Sequence, residues 1–158
     1  MEQDVIEEHD IASNSREVPL FEIKAKWIGG WKFEGRDGEG HTCRMDWSKS
    51  VGGEGDGFRP AELPLWGLAG CTGSDTIEIL KKMREPVEDM EVIVRAQKAE
   101  GYPARFESIE VEYIIKGKGL NPDKVEKAVK LSEDKYCTVG GSLRDPVAMS
   151  HKITVVDD

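Results

Sequence analysis

The chain has 158 residues and a formal net charge of −9, from 31 acidic against 22 basic side chains. That balance excludes the basic footprint of a nucleic-acid-binding protein, and no apolar run approaches the roughly 18 residues of a membrane helix. With 38% hydrophobic residues the chain can bury one core, and its acidic, polar start is unlike a signal peptide, so a cytoplasmic protein is expected.

Residues 1–17 are polar and acidic without a period and read as a flexible tail, leaving 18–158 as a single domain. Phe21, Ile23, Ala25 and Trp27 alternate with Glu22, Lys24 and Lys26, the pattern of a half-buried strand. Trp31 to Glu34 form a second strand, and Gly35-Arg36-Asp37-Gly38-Glu39-Gly40 is a turn by composition. Cys43, Met45 and Trp47 then share a face opposite Thr42, Arg44 and Asp46. These segments predict an antiparallel meander, followed by a glycine-rich loop over 48–60.

The period changes at residue 61. Leu65, Leu68, Ala69, Thr72, Thr76, Ile79, Leu80 and Met83 recur at steps of three and four, which predicts a long amphipathic helix over 61–84. Two strands follow, about 89–98 and 104–117. In the second, Ile109, Val111, Tyr113 and Ile115 face away from Glu110 and Glu112. Asn121-Pro122 is a helix start, with an N-cap followed by proline at the first helical position. That helix runs to about Asp134, and Tyr136 to Leu143 is a glycine-interrupted short helix or turn. Val147, Met149, His151, Ile153 and Val155 close the chain as a strand. The order predicts an α+β fold with mostly antiparallel sheets.

Cysteine usage is sparse and odd in number: Cys43, Cys71 and Cys137. There is no CxxC, and His9, His41 and His151 lack metal-ligand spacing, so neither a metal nor another cofactor is expected. Cys43 sits on an apolar strand face and reads as core. Cys71 lies in a helical stretch with Gly67, Gly70 and Gly73, each costing about 1 kcal/mol relative to alanine. Glycine every third residue marks a strip of close approach, either to another part of this chain or to a second copy of the same helix. Asp75 stands one turn after Cys71. An anion there raises the thiol pKa, so Asp75 is read as ordering a hydrogen-bond network rather than acting in chemistry. Trp66 and its apolar neighbours read as core, or as the lining of an approach for an organic molecule.

Two passages, Ala61 to Arg84 and Lys130 to Asp145, together with the hairpin before them, resemble the OsmC/Ohr family and its OsmC-like subgroup. The likeness spans about residues 20–156. The first passage is similar to the family's glutamate-leucine opening, small-residue helix and cysteine-threonine pair. The second is similar to its second-cysteine segment.

The resemblance implies an OsmC/Ohr-like fold, with antiparallel sheets packed on a long central helix in an intertwined homodimer. It also implies a two-cysteine peroxidase in oxidative stress defence, whose partners are a hydroperoxide substrate and an external dithiol reductant. Carried over by position, Cys71 is the attacking thiol and Cys137 the resolving one, 137 − 71 = 66 residues apart. Arg36, in the glycine-rich hairpin, is similar to the arginine that activates the cysteine in the Ohr branch. A solvated turn arginine remains the plain alternative, with Arg59 and Arg16 as other sources. Glu62 resembles the glutamate that orients that arginine. It is about 13–14 Å along the helix from Cys71 and on the opposite face, so it could serve only the Cys71 of an antiparallel copy. Its plain alternative is a first-turn acid favoured by the helix dipole. Two other functions fit the same thiols: a non-enzymatic binder of small apolar molecules, and a redox sensor without turnover.

Overall fold

The computed structural model describes residues 20–145 and 147–157. The expected flexible tail over 1–17, and Arg16 with it, lie outside the described residues. Strands β1 (Lys24–Trp27), β2 (Phe33–Arg36) and β3 (Thr42–Met45) form an antiparallel meander. A short 3-10 turn at Lys49–Val51 leads into the long helix α1 (Glu62–Lys82). Strands β4 (Asp89–Lys98) and β5 (Phe106–Lys116) pair antiparallel, and α2 (Pro122–Leu131) follows. A π-turn at Ser132–Tyr136, α3 (Thr138–Leu143) and β6 (Ala148–Val156) complete the chain.

The second sheet has the order β4-β5-β6. Strand β6 runs parallel to β5, with Val111 opposite His151 and Tyr113 opposite Ile153. This corrects the expectation of antiparallel sheets for one strand pair. The reason is the connection: a parallel neighbour needs a long crossover, and α2, the π-turn and α3 supply it between β5 and β6.

The core sits between this sheet and the helices. Ile109, Val111, Tyr113 and Ile115 of β5 are all buried, as their alternation requires. They meet Leu68 and Leu80 of α1 and Val125, Ala128 and Val129 of α2. Asn121 caps α2, its side-chain oxygen accepting the Asp123 and Lys124 backbone N–H groups. On the far face of β5, Glu112 is held between Arg95 of β4 (2.8 Å) and Lys152 of β6 (3.0 Å). Among the described residues no helix is long and apolar enough to cross a membrane.

The meander differs from its sequence reading in two ways. Arg36 ends strand β2, and the turn is confined to residues 37–41, where Asp37 accepts the Glu39 and His41 N–H groups. The apolar positions of β1 are also uncovered. Ile23 is 67% and Trp27 61% exposed, with Trp31, Phe33 and Trp47 exposed beside them. The alternation is real, but among the described residues nothing lies over that face. Cys43 is accordingly half-buried and outside the core cluster, which corrects its assignment as core.

The loop after β3 is pinned by Asp46. This buried carboxylate accepts N–H groups from Trp47 (2.7 Å), Glu54 (3.0 Å) and Asp56 (3.0 Å). Gly53 is needed there, because a Cβ would stand 1.9 Å from the Trp47 carbonyl oxygen. The loop delivers Phe58 onto Trp66 of α1 as a stacked pair, with ring centroids 5.0 Å apart.

Candidate functional site

Helix α1 carries Cys71 at its middle, half-buried, with Thr72 and Gly73 buried beside it. The glycine strip divides in two. A Cβ on Gly73 would meet the Val92 side chain at 3.2 Å, so this glycine admits β4 to the helix. Gly67 and Gly70 have nothing among the described residues within 4 Å of such an atom.

Cys137 precedes α3 and is buried. The crossover that makes β6 parallel thereby carries Cys137 back against α1. The Cys71 and Cys137 sulfurs and an Asp75 carboxylate oxygen all lie within 4.8 Å of one another. Gly140 N–H donates to the Cys137 sulfur at 3.2 Å. A Cβ on Gly140 would crowd that sulfur at 3.2 Å and Leu68 at 3.5 Å. Gly140 therefore serves as a close-approach residue inside α3. The Cys137 thiol is pushed up to about 11, chiefly by burial, with the Gly140 N–H opposing the rise and Cys71 and Asp75 adding to it. Burial also raises the Asp75 carboxyl, and the Ser132 hydroxyl opposes that rise. Two thiols and a carboxylate are donor types that suit a zinc ion. Without a metal, burial favours the protonated form of Cys137.

Behind the thiols runs a chain of hydroxyl and acid groups. Thr72 Oγ1 lies 2.6 Å from the Tyr113 hydroxyl and 2.9 Å from Ser132 Oγ. Ser132 in turn donates to Asp75 Oδ2 at 3.4 Å. The Tyr113 hydroxyl donates to Glu133 Oε1 at 3.2 Å, and His151 Nδ1 contacts Glu133 Oε2 at 2.8 Å. Burial raises the Tyr113 phenol well above its usual range. The sequence reading placed Tyr113 and His151 on apolar strand faces and gave Ser132 and Glu133 no role. A tyrosine on a core-facing register is itself a signal, because its hydroxyl needs a buried partner. The identity of that partner depends on the crossover.

A cavity of 210 Å³ opens on the Cys137 side, lined by Leu68, Thr72, Tyr113, Cys137, Gly140 and Arg144 among others. A wider hollow of 400 Å³ along α2 is lined by Asp123, Glu126, Lys127 and Lys130 and touches neither thiol. The smaller cavity is the one beside chemistry.

Glu62 lies at the start of α1 with its carboxylate taken by Arg59. Glu62 Oε1 accepts from Arg59 Nε at 2.8 Å and from Nη2 at 2.5 Å, and Oε2 accepts the Arg59 backbone N–H at 2.8 Å. The pair lowers the Glu62 pKa, chiefly through the side-chain hydrogen bond. Arg36 is exposed at the end of β2, opposite Lys24 and Thr42 in the sheet. The geometry thus groups Cys71, Cys137 and Asp75 in one place and Glu62 with Arg59 in another. It does not join Arg36 to Glu62.

A family model described as OsmC-like protein matches residues 53–152. The chain is 35% identical over 136 residues to Protein YhfA of Escherichia coli strain K12, covering 85% of this chain and 98% of that protein. A hypothetical protein from Aquifex aeolicus VF5 superposes with a TM-score of 0.78 at 26% identity, covering 89% of this chain and 98% of the other. An organic hydroperoxide resistance protein OsmC from Legionella pneumophila superposes with a TM-score of 0.67 at 20% identity, covering 89% of this chain and 100% of that one. The last likeness establishes the shared fold.

Proposed function

This chain belongs to the OsmC family, and from that premise we propose that it reduces organic hydroperoxides with Cys71 as the attacking thiolate and Cys137 as the resolving thiol. The observation that carries the reading is the meeting of the two sulfurs within 4.8 Å despite a separation of 66 positions in the sequence. Disulfide formation needs only a small approach from there. The Cys71 thiolate attacks the peroxide; the O–O bond breaks, Cys71 becomes a sulfenic acid, and the alkoxide takes a proton and leaves as an alcohol. Cys137 then attacks the sulfenic sulfur; the S–S bond forms, the S–O bond breaks, and water leaves. An external dithiol reduces the disulfide and is itself oxidised. A resolving thiol this close protects the sulfenic acid from further oxidation.

The attacking thiolate needs a positive or hydrogen-bonding neighbour. The reading supplies it from a second chain. Gly67 and Gly70 leave one side of α1 bare, and the meander presents Ile23, Trp27, Trp31 and Phe33 uncovered. A homodimer with antiparallel α1 helices would cover both and would bring the Arg59–Glu62 pair of one chain to Cys71 of the other. In that arrangement Arg59, already oriented by Glu62, is the activating cation, and Arg36 is a solvated arginine.

The test is a titration of the reduced protein with cumene hydroperoxide in the presence of a dithiol. Sustained peroxide consumption, lost in Cys71→Ser and kept in Cys43→Ser, is the expected result. A single oxidation without turnover would make the protein a redox sensor, and no thiol loss would make it a small-molecule binder; either result overturns the peroxidase reading.

A further inference from the structure

The two-thiol reaction moves protons as well as electrons, and its resolving thiol is buried in the wall of the 210 Å³ cavity. Cys137 must lose its proton as it attacks the sulfenic acid, and the departing hydroxide must gain one. Before that, Cys71 must be deprotonated and the departing alkoxide protonated. Few groups can do this. The Gly140 N–H that touches the Cys137 sulfur is a donor only. Tyr113 holds its proton far too tightly to give it up near neutrality. Glu133 is engaged by Tyr113 and His151.

Asp134, also in the cavity wall, faces Arg144 at 4.0 Å, and among the described residues the carboxylate grouped with both sulfurs is that of Asp75. We propose that Asp75 is the general acid–base of this site, passing one proton between the two thiols and the two oxygen leaving groups. The inference rests on the peroxidase reading of the same thiols. Asp75 has an oxygen within 4.8 Å of both sulfurs, a separation that proton transfer spans through one water. It sits one helical turn after Cys71, on the same side of α1. Ser132 donates to Oδ2 at 3.4 Å and is itself fixed by Thr72, which leaves the carboxylate aimed but not neutralised. The charged and titratable groups around it are few. Its own helix contributes Glu78 and Cys71, and the π-turn and α3 contribute Ser132 and Cys137. β4 meets this part of α1 with Val92 and Met90, and α2 buries Val125, Ala128 and Val129. No cation among the described residues is paired with Asp75. Burial raises its pKa, which makes its acid form a more accessible state than for a surface aspartate.

The proton balance closes on Asp75 alone. The carboxylate takes the Cys71 proton, and the resulting acid protonates the alkoxide as the O–O bond breaks. The regenerated carboxylate takes the Cys137 proton as the S–S bond forms, and the acid returns it to the hydroxide, which leaves as water. The site needs no proton from elsewhere in the cycle.

The experiment compares the parent with Asp75→Asn and Asp75→Glu after one equivalent of cumene hydroperoxide, from neutral pH to about pH 11. Sulfenic acid is trapped with dimedone, and the 71–137 disulfide is counted by peptide mapping. For Asp75→Asn, both the formation of sulfenic acid and its conversion to disulfide should slow at neutral pH, the second step by roughly a hundredfold. The deficit should shrink as pH rises and hydroxide deprotonates Cys137 directly, and Asp75→Glu should restore part of the rate. Disulfide formation in Asp75→Asn at the parent rate, or a deficit equal at every pH, overturns the proposal while leaving the peroxidase reading standing. A parent that forms neither sulfenic acid nor disulfide overturns both. Asp75→Asn should fold at least as stably as the parent, because an amide escapes the cost of burying the charge.

Discussion

The hydroxyls of Thr72 and Tyr113 lie 2.6 Å apart in the core, tying the residue after Cys71 to the central strand of the sheet. Tyr113 also donates to Glu133, which holds His151 on β6. Tyr113→Phe removes both bonds while keeping the ring's packing. Thr72 keeps Ser132, but Glu133 loses a donor. Unfolding by urea should show a loss of about 1–3 kcal/mol. The first oxidation of Cys71 should change little, because the phenol's hydrogen bonds go to Thr72 and Glu133 and to neither sulfur. A loss of Cys71 reactivity larger than the loss of stability explains would give the phenol a part in the chemistry.

Cys137→Ser should still consume one equivalent of peroxide. It should then stall with Cys71 as sulfenic acid, drifting to sulfinic acid in excess oxidant. Peptide mapping of the oxidised parent should recover a 71–137 link and a free Cys43, which lies on β3 away from the core cluster. A 43–71 link, or full turnover in Cys137→Ser, would reassign the resolving thiol.

Much of this arrangement was legible in the sequence where local pattern decides structure. The bounds of α1, β4 and β5 follow from period, and the Asn121-Pro122 start of α2 follows from capping chemistry. The parallel β6 was not legible, because strand direction depends on where a crossover lands and not on alternation. The same limit hid the hydroxyl chain. Thr72, Tyr113 and Ser132 are 41 and 60 positions apart, so their bonds depend on the whole fold. The exposed face of the meander was misread for the opposite reason. Alternation in Phe21, Ile23 and Trp27 signals a face to be covered, but not which chain covers it.

The arginine assignment separates cleanly by substitution. Arg59→Ala should lower the rate of Cys71 oxidation by roughly a hundredfold, the scale of one preorganised electrostatic contact. Glu62→Gln should have a smaller effect of the same sign, since it orients Arg59 through the 2.8 Å contact at Nε. Arg36→Ala should stay within a few-fold of the parent. The reverse ranking in single-turnover kinetics would return the activating role to Arg36.

Gly70 offers a direct reading of the dimer. Among the described residues a Cβ at this exposed position meets nothing within 4 Å, so Gly70→Leu should not disturb the fold of a lone chain sterically. At a close helix crossing it would wedge two copies apart. Sedimentation at micromolar concentration should show the parent as a dimer and Gly70→Leu as a dissociated or unfolded chain, because such interfaces are continuous with the core. A parent that sediments as a stable monomer would remove the second chain from the site.

The buried Cys137 thiol should also leave a mark on stability. Its pKa is pushed from an ordinary 9 up to about 11, with burial as the first cause. Above pH 9 an unfolded chain releases this proton while the folded chain holds it. The unfolded state therefore binds fewer protons, and stability falls as pH rises. The contribution is complete below about pH 9 and is lost progressively up to about pH 11, an effect on the order of 2–3 kcal/mol. Other groups titrate in the same window, so the parent alone does not isolate it. Cys137→Ser carries no ionisable group there and shares every other one. Denaturation with urea under reducing conditions at several pH values should show the parent losing stability faster than Cys137→Ser between pH 9 and 11. Parallel profiles for the two proteins would mean that the thiol is not buried as the fold requires.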